Sequence, residues 1–204
     1  MKTTDLIKEE QTRKEIITAA QELFQKYGID KTTMDDIADA VGKGKSSLYY
    51  YYKSKEEVFY AVVNKEKDEI MHSIGDAIKD INSASEQFKM FFLTHFTQVR
   101  KKLNLYSVII KENAKKHIDL FYKIQKESLD SQISILKNIM LTGMKKGEFQ
   151  KIKEEECEAL VTVIIMMLQG MDSNLVFARD KSQTIPSGVE KAIDVFIKGL
   201  KYGR

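Results

Sequence analysis

Apolar residues recur every three or four positions along most of this chain. Over residues 13–27, "RKEIITAAQELFQKY", Ile16, Ile17, Ala20, Leu23, Phe24 and Tyr27 share one face at helical spacing. Gly28 then stops the helix, as glycine does past a helix C-terminus. In "TTMDDIADAVG", Thr33 is an N-cap with Asp36 three residues on, and acids fill the first turn. This short second helix is expected to turn Ile37, Ala40 and Val41 inward and to end at Gly42. A third short helix is expected over Lys45–Tyr52. Ser54 opens a long fourth, with Glu57 as its capping partner.

Further helices are expected at about 84–102, 104–116, 118–145, 154–179 and 187–201, with "TGMKKGEF" and "RDKSQTIPSG" as the clearest breaks. No alternating strand pattern or internal repeat competes with them. The chain of 204 residues has one proline and ten glycines, too little punctuation for a sheet full of tight turns. The pattern predicts an all-α fold: three compact helices in residues 1–55, then a long helix leading into a second helical domain over 56–204.

Composition adds exclusions. The single Cys157 precludes an internal disulfide, fits a reducing compartment, and on a helical apolar face reads as a small buried hydrophobe. Residues 1–16 are polar and charged, so no secretory signal is read there. The longest apolar run, "LVTVIIMML", is nine residues, against about 20 for a membrane span. The expected location is cytoplasmic. A net charge of +3 is too small to indicate a polyanionic partner, so the distribution of charge must decide.

That distribution centres on "VGKGKSSLYYYYKSKEE", residues 41–57. Gly44-Lys45-Ser46 matches the end of a phosphate-cradling loop, but the motif's first glycine would fall at Asp39. The segment before it is helical where that motif needs a strand. A nucleotide-binding enzyme is therefore disfavoured. Two short helices joined by a glycine turn make a helix-turn-helix, whose second helix enters the DNA major groove. At about 100° per residue, Leu48 and Tyr52 lie on one side of the third helix. Lys45, Ser46, Tyr49 and Tyr50 lie on the other, offering a cation, a hydroxyl and phenols to phosphates and base edges. Tyr51 falls near Leu48 and Tyr52, and its role stays open between core and DNA. Four lysines and no acid lie between Lys43 and Lys55. The competing reading is a protein–protein adaptor whose basic turn is only a solvated surface.

Residues 13–59 resemble the N-terminal domain of TetR-type (tetracycline-repressor-like) transcriptional regulators. The resemblance rests on Phe24 to Gly28, Thr32 to Ala38, the turn glycine Gly42, Leu48 to Tyr52, and Ser54 to Glu57. It departs at Lys43 and Gly44, where the family often has Val-Ser, and at Ser46, where it has a glycine. The resemblance implies a homodimer on a palindromic double-stranded operator, usually a repressor released by a small molecule. By position, Thr33 and Lys55 would hold phosphates at helix N-termini. Lys45, Ser46, Ser47, Tyr49 and Tyr50 would face the groove and Lys53 the backbone, with Lys45 the best candidate for guanine.

Outside this segment the residues still carry information. "CEALVTVIIMMLQGM" is apolar almost all round, so its helix is expected to face both its own domain and a second subunit, in a four-helix bundle with "VEKAIDVFIKGL". Phe88, Phe91, Phe92, His95, Tyr106, Met140 and Met144 are candidates to line an apolar, adaptable pocket for a small apolar or amphipathic effector. Ordinary core is the competing reading of each. No cofactor site, metal-ligand spacing or catalytic constellation is found; Glu154–Glu156 read as a solvated helix N-terminus.

Overall fold

The computed structural model describes residues 3–101, 118–177 and 187–201. Every element in it is helical: α1 (Thr3–Tyr27), α2 (Met34–Ala40), α3 (Lys45–Tyr51), α4 (Lys55–Ile78), α5 (Ala84–Lys101), α6 (Ile118–Lys146), α7 (Glu154–Phe177) and α8 (Ser187–Lys201). The helix expected at 104–116, and with it Tyr106, lies outside the described residues. The chain divides into two compact units, with boundaries at Glu66/Lys67 inside α4 and at Ile124/Gln125 inside α6, so both helices contribute residues to both units.

The first unit is built on a core of Ile16, Ala20 and Phe24 from α1, Ile37 from α2, Leu48 from α3 and Val58, Phe59 and Val62 from α4. Phe24 meets Phe59 edge-on at 5.4 Å, a favourable geometry for two buried rings. Gln21 of α1 donates to the fully buried Glu66 of α4 at 2.6 Å, tying these two long helices together.

Two expectations need correction. First, α1 begins at Thr3 rather than near residue 13. Its early turns carry few apolar residues, so periodicity is silent there. Pairs at i, i+4, Glu9–Arg13 at 3.2 Å and Glu10–Lys14 at 3.1 Å, extend the helix. Second, Ala40 is exposed; α2 buries Met34, Ile37 and Ala38, and Ala40 sits on the opposite side of that stripe.

The second unit has its own core, including Phe88, Phe91 and Phe96 from α5, Leu136 and Met140 from α6, Cys157, Val161 and Ile165 from α7, and Ile193 and Leu200 from α8. One short loop organises it. After α6, Gly147 takes a left-handed φ of 76°, and Glu148 turns back onto the start of α5. Its carboxylate accepts from the Ala84 N–H at 2.9 Å, the Ser85 N–H at 3.0 Å and the Ser83 hydroxyl at 2.8 Å. The next residues place Phe149 in the core and let the Gln150 N–H donate to the Leu200 carbonyl of α8 at 2.8 Å. Gly143 is required beneath this loop, because a Cβ there would intrude into the Phe149 ring.

Partial burial works to raise the Glu148 pKa, but the N–H groups of Ser85 and Ala84 and the Ser83 hydroxyl prevail and hold it at about 2. A carboxyl with a depressed folded pKa contributes stability that is present above its unfolded value and is lost as pH falls through the folded one. Glu148→Gln should therefore cost about 2 kcal/mol at neutral pH, after allowing for solvent screening, and less and less as pH drops from about 4.5 toward 2. Denaturant unfolding of both proteins across that range checks it.

Candidate nucleic-acid interface

The candidate surface is assembled by α2, α3 and the turn between them. Thr33 caps α2 with a reciprocal box: its hydroxyl accepts from the Asp36 N–H at 3.1 Å, and the Asp36 carboxylate accepts from the Thr33 N–H at 2.8 Å. The Thr33 hydroxyl also donates to Asp36 at 2.7 Å, so both its roles are filled within its own helix. At the other end, the Gly42 N–H donates to Asp39 at 3.1 Å and the Lys43 N–H to Ala38 at 2.9 Å, the two bonds of a Schellman closure. That closure needs a left-handed residue, and Gly42 supplies it at φ 62°.

Gly44 is the N-cap of α3 and makes no side-chain bond; its carbonyl starts the helix by accepting from Ser47 and Leu48. Within α3, Leu48 is fully buried and Tyr52, just past the helix, is nearly so. Lys45, Ser46, Ser47, Tyr49 and Tyr50 are exposed, Tyr50 at 66%. Tyr51 is half-buried and meets Tyr50 edge-on at 5.1 Å.

Sequence reasoning did not find what holds the far end of α3. Arg13 of α1 donates to the Tyr51 carbonyl at 2.8 Å, and its guanidinium lies 5.5 Å from the Tyr51 ring centre and 5.4 Å from that of Tyr52. Glu9 orients it from one turn back. An arginine so placed satisfies a C-terminal carbonyl and stacks on two aromatic faces at once. The lysines are arranged as well. Lys53 Nζ donates to the Tyr49 carbonyl at 3.1 Å and Lys55 Nζ to the Asp30 carbonyl at 3.4 Å. Lys45 Nζ meets the Asp35 carboxylate at 2.8 Å, which raises its pKa by a hydrogen bond and by charge attraction. The acid-free run from Lys43 to Lys55 is thus not acid-free in space.

Among the described residues, no group of three or more His, Cys, Asp or Glu could hold a metal ion, and no helix is long and apolar enough to cross a membrane. Cys157 is fully buried, and burial pushes its thiol up, away from nucleophile character.

Two family models together span nearly the whole chain: bacterial regulatory proteins of the tetR family match residues 16–62, and the YsiA-like protein C-terminal region matches residues 63–198. The chain belongs to the TetR family. This TetR-family chain is 26% identical over 137 residues to the fatty acid metabolism regulator protein of Bacillus subtilis, covering 67% of this chain and 70% of that one. It is 29% identical over 108 residues to an HTH-type transcriptional repressor of Mycolicibacterium smegmatis, covering 53% and 52%. Its fold matches the fatty acid degradation regulator FadR from Bacillus halodurans with a TM-score of 0.67 at 20% identity, over 91% and 93% of the two chains. Relatives and fold are those of DNA-binding transcriptional regulators, not of enzymes.

In the regulator's second unit, an apolar groove of about 130 Å³ opens between α5, α7 and α8, lined by residues that include Phe88, Phe92, Phe96, Met167, Met171 and Phe196. Phe88 and Phe92 were expected pocket residues; Phe91, His95, Met140 and Met144 are buried in the core and do not line this groove. His95 sets its ring edge-on to Phe96 at 6.0 Å. Phe96 and Phe196 carried a helical apolar signal in the sequence, but nothing in it said that they would converge.

Removing the Arg13 clamp should fray the end of α3. Arg13→Ala is expected to lower stability by about 1–2 kcal/mol, read as a fall in thermal midpoint. Arg13→Lys should recover little of it, because an ammonium has no planar fork to stack.

Proposed function

We propose that the protein binds a palindromic DNA operator as a homodimer, most simply as a repressor, and leaves it when a small apolar or amphipathic molecule binds the second unit. The observation that carries this is the two-faced α3: Leu48 and Tyr52 turned into the core beneath Lys45, Ser46, Ser47, Tyr49 and Tyr50 turned out. Lys53, Lys55 and Thr33 flank that face, where phosphates would pass. In this reading residues 1–55 form the reading head and 56–204 the sensing and pairing part.

The dimer is supported by an apolar surface. On α7, Val163 and Met166 are exposed, Met166 at 59%, and on α8 so is Val195, all of them outside the lining of the groove. Apolar rows on two helices are what a four-helix interface between two copies needs. Two recognition helices would then meet half-sites about one DNA turn apart or somewhat more.

The groove supports the effector's chemistry. A volume of about 130 Å³ with a wholly apolar lining is close to the size of cavity that holds one benzene-sized ring, so it would take a hydrocarbon segment rather than a whole ligand. The Bacillus subtilis relative is a fatty acid metabolism regulator. Carried to this chain, that name makes a fatty-acyl compound the first effector to try. A ligand shifts DNA binding only by its differential affinity for two arrangements of the protein, and α4, which runs from the first unit straight into the second, is the element through which it would act.

The deciding experiment is enrichment of duplexes from a random library, followed by titration of the winners at several salt concentrations. A palindromic winner whose affinity falls steeply with salt is expected. Lys45→Ala and Tyr49→Ala should each weaken operator binding about tenfold or more while sedimentation still shows the dimer. Met166→Glu should do the reverse, splitting the dimer in sedimentation and abolishing tight operator binding with it. Enrichment of no sequence by the wild type, purified free of bound small molecules, overturns the proposal.

A further inference from the structure

The Lys45–Asp35 pair has no evident structural purpose. Its partners sit on different helices, each side chain is more than half exposed, and the charged ends meet at 2.8 Å. An exposed pair of this kind contributes little to stability. Capping does not need Asp35 either, since Asp36 closes the box with Thr33. What the pair does is place one strong acceptor beside one strong donor, on the exposed side of α2 and α3, next to Ser46 and Tyr49.

We infer that Asp35 is a specificity-determining residue, acting with Lys45 as a matched acceptor and donor for one guanine–cytosine pair in each half-site. The inference rests on the DNA-binding reading above. Guanine presents the adjacent acceptors O6 and N7 in the major groove, and cytosine presents the N4 amino donor. The Lys45 ammonium donates to guanine while the Asp35 carboxylate accepts from cytosine N4–H. At an A·T pair the ammonium meets a lone acceptor beside a donor amine, a poorer match.

The carboxylate also works against the wrong sequence. Off the operator, Lys45 stays neutralised by Asp35 and adds nothing to phosphate attraction. If Lys45 leaves for a phosphate, Asp35 is stranded against a polyanion with no donor to meet it. Both effects widen the gap between operator and random DNA, which is specificity obtained by penalising the competitor.

The test compares wild type with Asp35→Ala and Asp35→Asn, using duplexes enriched from a random library and a scrambled duplex titrated at several salt concentrations. Asp35→Ala should bind the scrambled duplex several-fold more tightly, with a salt slope steeper by about one for each lysine released. Its operator-to-scrambled ratio should fall roughly tenfold, and its enriched sequences should lose the guanine–cytosine preference at one position per half-site. Asp35→Asn should shift that position toward adenine, the base an amide pairs with twice. Thermal midpoints should match the wild type throughout. An unchanged ratio and base preference in both variants overturns the inference while leaving the DNA-binding reading intact. So does a parallel loss on both duplexes with a lowered midpoint, which would make Asp35 a folding residue. A wild type that enriches nothing removes the DNA-binding reading itself, and this inference with it.

Discussion

A helix of seven residues forms too few internal hydrogen bonds to persist alone in water, so α3 exists because its surroundings hold it. Three supports share the work. The Schellman closure at Gly42 fixes where the chain leaves α2, and the Gly44 carbonyl starts the next turn. Leu48 anchors the middle of the helix in a core shared with α1, α2 and α4. Arg13 takes the last carbonyl and stacks on the two tyrosines that follow one another there. Once these are satisfied, the outward residues of α3 are free to be chosen for what they contact, because none of them is needed for packing.

Those supports differ in how they can be seen in a sequence. Thr33 with Asp36, and Gly42 after Val41, are local signals, legible because a cap and its partner lie within a few residues. Most of the inward stripe of α1 and the division of the tyrosines were legible too, since helical periodicity fixes faces without any knowledge of neighbours, although Tyr27 at the end of that stripe is exposed. Arg13 lies 38 residues from Tyr51 and Glu148 lies 64 from Ala84, and nothing in residue type or spacing marks such partners. The groove between α5, α7 and α8 belongs to the same class. Phe88 and Phe92 could be read as apolar, but whether an apolar side chain fills a core or lines a cavity depends on packing that only three dimensions supply. Ala40 failed for a plainer reason: in so short a helix, one residue of error in the stripe exchanges inside for outside.

The second unit is joined in a contrasting way. Where the first relies on a charged clamp over aromatic rings, the second relies on a loop whose donors and acceptors are shared among α5, α6 and α8. Glu148 spends its carboxylate on the otherwise orphaned N–H groups at the start of α5, so that helix begins without a cap of its own beyond Ser83. Outside the core, α7 keeps Met166, Met167 and Met171 in solvent. Methionine is adaptable enough to meet either a second protein surface or a ligand without a fixed shape.

The position of Arg13 bears on how the reading head could be handled as a separate piece. The matched family segment starts at residue 16, three residues beyond the arginine and seven beyond the glutamate that orients it. A fragment whose start is trimmed to the family boundary would keep every apolar side chain of its buried core and every outward residue of α3. It would nevertheless part with the group that holds the end of α3, so the working boundary of this head lies earlier in the chain than the start of the family match would place it.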